Sequence, residues 1–314
     1  MNLELIDRLP THGKTERDHY MQHPISLFDI PFDPYTQKEA IQAIADRVKA
    51  QHKTRVVTIN PEFVLESMEN AQFKNVLKTA DIHLADGIGI LWATHFLARK
   101  PLFPRLYKLT KPLYIFWQLC YSLVLIPFTK RVTRDPLPER VTGSDLFLPL
   151  VEELNKNQER IFLLGGANGV GEKTAKKLQE FFPGIKIAGF FPGSPKETDA
   201  AKIIHIINDS KASVLFVAFQ FPAQDIWIAE HFHKLHHVKL AMGVGGTFDF
   251  IAKTSHIAHK GFKAKRAPGL LRRMNLEWFW RLITQPFRFI RIMRATFVFI
   301  GKVWREKLKN PVIS

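Results

Sequence analysis

An α/β domain with a largely parallel sheet is the fold this sequence predicts, and three observations carry the prediction. Short apolar runs alternate in strict turn with helical segments from Arg55 to Met242. Two of those runs end on glycine-bearing turns, at Asp86-Gly87 and at Gly165-Gly166, where a strand hands over to a helix. The 314 residues, 46% hydrophobic and 24% charged, suffice for one large core or two modest ones.

The elements follow in order. Residues 1–24 are polar, lack an apolar period and are expected to form a mobile arm. Arg55–Ile59 (RVVTI) reads as a buried strand, and Pro61 opens a helix through Phe63, Val64 and Leu65 to about Lys78. Ile82–Leu84 is a short strand. Ile161–Leu164 is a strand followed by a helix from about Gly171 to Phe182. Strands at Ile185–Phe190, Val214–Phe219 and Val238–Met242 alternate with helices at Ala200–Asp209 and Asp225–Leu235. Ligands of such sheets bind at the carboxyl ends of the strands.

Two stretches break the rhythm. From about Pro101 to Glu139 an insertion holds the apolar run Pro112–Phe128, flanked by Lys111 and by Lys130-Arg131. It is short for a spanning helix, which needs about 20 residues. An interfacial or re-entrant element, a core helix and a membrane span all remain open readings. The second stretch is the tail after Pro268, where arginines interleave with Trp and Phe as in a helix lying in a membrane interface. Helical steps carried through Pro286 would place Arg281, Arg288 and Arg291 on one face, with Ile290, Met293, Phe297 and Ile300 turned away. The organisation is thus an arm at 1–24, a core at 25–265 and a basic aromatic appendage at 266–314.

Charge is concentrated in that tail. From Lys253 to Ser314 there are 15 Lys and Arg against 2 acidic residues, so +13 of the net +16 lies there. Such a region meets a polyanion: an anionic membrane surface, substrate phosphates or nucleic acid. The lone Cys120 makes no internal disulfide, and the N-terminus lacks a signal-peptide layout, so a cytoplasmic protein is expected.

For chemistry, Asp86 follows a strand end and precedes Gly87, where a loop lifts a carboxylate toward the ligand crevice. There it suits a general base, although Asp-Gly is also a common turn. The run Gly165–Gly171 fits either a phosphate cradle or a structural turn. Asp249 reads as a possible helix cap. No metal and no cofactor is expected: there is no D-x-D pair, His233 and His237 lack a third ligand, and the dinucleotide fingerprint is missing. That last gap weighs against a nicotinamide-dependent oxidoreductase.

Several strings taken together resemble the WecG/TagA/CpsF glycosyltransferase family. They are Thr58-Ile59-Asn60-Pro61-Glu62, Ala85-Asp86-Gly87-Ile88-Gly89, Arg140-Val141-Thr142-Gly143-Ser144-Asp145-Leu146, Leu163-Leu164-Gly165-Gly166, Gly243–Asp249, Arg266-Ala267-Pro268, Leu276-Glu277-Trp278 and Arg281-Leu282. The family's G-x-P-K-Q-E stands here as Gln220–Asp225, which keeps only the proline and Gln224, and the stretches 97–139 and 253–265 are longer than the family's links. The resemblance implies a Rossmann-like core and an appendage docked near the active site at the membrane. It also implies inverting transfer of an N-acetylmannosamine-type sugar from a UDP-sugar donor to the 4-hydroxyl of undecaprenyl-diphosphate-linked N-acetylglucosamine. By motif, Asp86 is the base, Thr58 and Asn60 shape its pocket, Arg140 and Gln224 are substrate contacts, and Arg281, Arg288 and Arg291 meet the diphosphates. The expected location is the inner face of the cell membrane. The alternative from another class is a nucleic-acid-binding protein that uses the basic aromatic tail.

Overall fold

The computed structural model describes residues 25–100, 104–126, 134–167, 169–252 and 293–309, with single positions 268, 271, 280 and 283. A small hairpin opens it: β1 (Ile25–Leu27) and β2 (Ile30–Phe32) pair antiparallel around Phe28 and Asp29, both at positive φ. Next come α1 (Gln37–Lys49), started by a capping box between Thr36 and Glu39, and β3 (Thr54–Ile59). The helices α2 (Pro61–Glu69) and α3 (Ala71–Lys78) lead to β4 (Ile82–Ala85), α4 (Ile88–Ala98) and α5 (Pro104–Leu125). The second half runs α6 (Gly143–Lys156), β5 (Arg160–Gly165), α7 (Val170–Phe181), β6 (Lys186–Phe191), α8 (Glu197–Asp209) and β7 (Val214–Ala218). It closes with α9 (Ala223–His231), β8 (Leu240–Gly243) and α10 (Thr247–Ile251). After the undescribed stretch, a π-helical turn (Arg294–Val298) runs into α11 (Phe299–Lys309).

Strands β3 to β8 form one sheet in the order β4-β3-β8-β7-β5-β6, with every pair parallel. Helices cover both faces, so β4 and β8 are buried throughout; β8 reads as an unbroken apolar run, while β4 carries the buried His83. The α/β fold with a parallel sheet is therefore as expected. The single helix expected from Pro61 to about Lys78 is two. Asn70 leaves the helical region at φ −124°, ψ 101°, and its Oδ1 accepts the Phe73 amide at 3.0 Å to cap α3. The helix expected to reach Leu235 stops at His231 and finishes as a tighter turn over Phe232–Lys234.

The apolar insertion forms α5, with a kink at Thr110 just ahead of Pro112. Its inner stripe, Tyr114, Ile115, Gln118, Leu119 and Ser122, is buried against the β3–β4 half of the core. Ser122 Oγ accepts from the Trp92 indole at 2.9 Å. Among the described residues no helix is long and apolar enough to cross a membrane.

Apart from the four isolated positions, only residues 293–309 of the tail are described. There, Phe299 and Val303 of α11 are buried in the cluster that holds α4 and the inner face of α5. Lys307 is buried with them. Its Nζ donates to the carbonyls of Phe96 and, at 3.0 Å, of Arg99, closing the C-terminal end of α4. Burial, helped by the nearby Arg99 charge, pushes that amine down to about 7. Arg294 pairs with Glu69 on α2. Arg281, Arg288 and Arg291, together with the basic link 253–267, lie outside the described residues.

Candidate active site

The candidate site lies along the carboxyl ends of β4, β3 and β8, three adjacent strands. β4 ends at Ala85, and the next amide, that of Asp86, donates to Ile59 O at 2.8 Å, so the two strand ends are tied where they stop. Gly87 follows at φ +112°, a conformation that L side chains rarely adopt, and it starts α4 without a side-chain cap. The Asp-Gly pair thus makes a sharp exit from the strand, with half-buried Asp86 on the loop.

Arg140 arrives from the other side. The Val141 amide donates to Ala85 O at 2.9 Å, which lays 140–141 beside the end of β4 and leaves Arg140 half-buried one residue from that bond. Thr142 then caps α6 by accepting the Asp145 amide at 3.1 Å. Gly143 packs on Thr58: a Cβ there would stand 3.1 Å from Thr58 Oγ1, so a larger residue would press into the β3 end. Asn60 has a structural task, because its Oδ1 accepts the amides of Glu62 and Phe63 at 2.8 and 3.2 Å to cap α2.

Gln224 is buried. Its Oε1 accepts the Gly245 amide at 3.0 Å, and its Nε2 lies 2.5 Å from where a Cβ on Gly243 would be. The glycine at 243 therefore makes room for the amide that holds the β8–α10 loop. Asp249 falls in the first turn of α10 and not at its N-cap position, which Gly246 occupies without a side-chain cap. The Gly165-Gly166 turn has positive φ at both residues, and a Cβ on Gly165 would sit 2.6 Å from Ala218 O. Packing between strands is reason enough for that glycine. Thr58, Asp86, Arg140 and the loop held by Gln224 thus share one edge of the sheet, with Asn60 just behind it.

Sequence reasoning passed over Asp225. It is buried beside Gln224, and among the described residues its Oδ2 has no hydrogen-bond partner. Burial pushes this carboxyl up to about 7, against the opposing pulls of the Gln224 amide and the Arg55 charge. Its folded value lies above its ordinary one, so its contribution to stability is complete below about pH 4 and is lost as pH rises through about 7. Asp225→Asn should match the parent near pH 4 and exceed it at pH 8, by on the order of 1–3 kcal/mol for an unsatisfied buried group. Denaturant titrations at the two pH values check this; an equal gap at both would mean that the carboxyl does not titrate near 7.

Among the described residues one group of possible metal ligands occurs, Glu197, Glu230 and His231 on α8 and α9. It shares no residue with the edge that carries Asp86.

The chain matches the glycosyl transferase WecG/TagA/CpsF family over residues 25–120 and 116–312. The chain belongs to this family. Three relatives carry the same name, N-acetylglucosaminyldiphosphoundecaprenol N-acetyl-beta-D-mannosaminyltransferase. The one from Bacillus spizizenii is 30% identical over 241 residues, covering 76% of this chain and 74% of the relative. The one from Bacillus subtilis is 28% identical over 255 residues, 81% of each chain. The one from Staphylococcus aureus is 25% identical over 287 residues, 91% of this chain and 94% of the relative. For this WecG/TagA/CpsF member the match reaches through the apolar helix α5 and into α11, so both belong to the span over which the family is recognised. It is a glycosyltransferase, and Asp86, Arg140 and the glycines at 87, 143 and 245 sit at the strand ends where its fold class binds ligands.

Proposed function

We propose that this glycosyltransferase moves an N-acetylmannosamine-type sugar from a UDP-sugar to the 4-hydroxyl of undecaprenyl-diphosphate-linked N-acetylglucosamine, with inversion at the transferred carbon. The step serves cell-surface polysaccharide or teichoic-acid-like polymer synthesis at the inner face of the cell membrane. The observation that carries the reading is the position of Asp86: a half-buried carboxylate on the exit loop of β4, beside Arg140 and Thr58.

In the reaction, the acceptor hydroxyl gives its proton to the Asp86 carboxylate as its oxygen forms a bond to the donor's anomeric carbon. The bond from that carbon to the diphosphate oxygen breaks, and its electron pair leaves on UDP. Charge builds on the diphosphate, where arginine forks hold phosphate oxygens bidentately. Arg140 and the tail arginines Arg281, Arg288 and Arg291 take that part. Thr58 and Asn60 shape the pocket beside Asp86, Asn60 through the α2 cap that it makes. Gln224 acts through the loop it holds. The core at 25–265 thus supplies the base, and the appendage at 266–314 supplies cations and membrane contact.

Arginines make a divalent ion unnecessary for the leaving group. A panel of UDP-sugars offered with a short-chain lipid-diphosphate N-acetylglucosamine acceptor should give an N-acetylhexosamine adduct by mass spectrometry, undiminished by excess EDTA. No adduct from any UDP-sugar would overturn the reading. Activity lost to EDTA and restored by Mg²⁺ or Mn²⁺ would overturn the metal-free account alone.

A further inference from the structure

The outer face of α5 is a continuous apolar stripe. Leu113, Phe116, Trp117, Cys120, Tyr121 and Val124 follow helical spacing, and the five large ones are between 42% and 69% exposed. A helix packed on a soluble core normally turns charges outward. This one carries none on either face between Pro112 and Leu125. The aromatic groups are ordered against one another, with Trp117 stacked on Tyr121 at 5.4 Å and 17°, Tyr114 5.8 Å from Trp117, and the Arg99 guanidinium 5.6 Å from the Tyr121 ring.

We propose that this stripe is a lipid-contact surface that enters the interfacial region of an anionic bilayer, with α5 lying on the membrane and not across it. Charge selects this occupant over a second copy of the chain. The helix packed beside α5 is α11, joined to it by the Lys111 ammonium on Leu308 O at 2.7 Å, and α11 exposes Lys302, Arg305 and Lys309. A self-complementary interface would bring those cations toward their own copies. An anionic surface attracts them, while Trp and Tyr settle at head-group depth and Leu, Phe and Val enter the acyl boundary. The inner stripe of α5 stays in the core, so the contact is rigidly attached to α4, the helix that begins two residues after Asp86. The surface deepens the reading of a lipid-linked acceptor and rests on it for its purpose, though not for its physics.

The test uses the full-length chain and vesicles of phosphatidylcholine with or without about a third phosphatidylglycerol. Phe116→Glu combined with Val124→Glu should lower partition onto the anionic vesicles about tenfold or more, with unchanged circular dichroism and melting temperature. Quenching of tryptophan by brominated lipid should occur in the parent and drop in Trp117→Phe, which needs no disruptive change. Unchanged partition with unchanged quenching would overturn the proposal. So would a double variant that changes oligomeric state and leaves vesicle binding alone. The short-chain acceptor separates the two ideas: vesicle binding through this face without sugar transfer removes the reaction and keeps the surface, and transfer without vesicle binding does the reverse.

Discussion

Asp86→Asn should fold as the parent does, bind UDP and lose turnover by at least about 10²-fold, the usual worth of a positioned general base. The substitution preserves volume. It also preserves the Asp86 amide bond to Ile59 O and the glycine exit at Gly87, so the strand ends stay tied. What disappears is the capacity to take the acceptor's proton. The loss should therefore fall on kcat with the short-chain acceptor, while donor affinity measured by calorimetry with UDP stays near that of the parent. Turnover within a few fold of the parent would remove Asp86 from the reaction and leave the Asp-Gly pair as a turn.

Gly165→Ala should cost the most stability of any single methyl added to the sheet, about 3 kcal/mol or more. Two penalties combine there. The residue sits at φ +100°, which by itself costs a side chain on the order of 1–3 kcal/mol. The added Cβ would also stand 2.6 Å from the carbonyl oxygen and 2.7 Å from the carbonyl carbon of Ala218, backbone atoms of a paired strand that cannot rotate away. Gly184→Ala is the control, because it has φ +86° and nothing within 4 Å of its Cβ. Denaturant midpoints should place Gly165→Ala well below Gly184→Ala. Equal losses would mean that the β5–β7 pair yields easily at its end and that backbone conformation alone sets the cost.

The strand-helix alternation was legible because a parallel sheet covered on both faces needs short apolar runs, and β3, β5, β7 and β8 stand within two residues of where those runs place them. Asp86 was legible for a related reason: a carboxylate between a strand end and a glycine has few places to go. Other features lack a local signature. The helix α4 is buried almost all round, so its apolar residues show no period. On α5 both faces are apolar, and the pattern cannot say which one meets the core. The partner of Gln224 is Gly245, on the far side of a helix and a strand, so the motif alone could not show the loop that Gln224 holds. Nor does anything in the text of the tail announce that Phe299 and Val303 land beside α4.

That landing bears on how the molecule is made. The cluster around β5 and β7 draws its buried residues from 162 to 241 and can close once that length of chain has emerged from the ribosome. The cluster around β3 and β4 cannot, because it begins at Leu27 and takes its last buried residues from Phe299 and Val303. The half of the enzyme that bears Asp86 is translated first and completed last. Until α11 arrives, the part of α4 and α5 that Phe299 and Val303 cover stays open to solvent, and the nascent chain carries more apolar surface than the finished protein keeps.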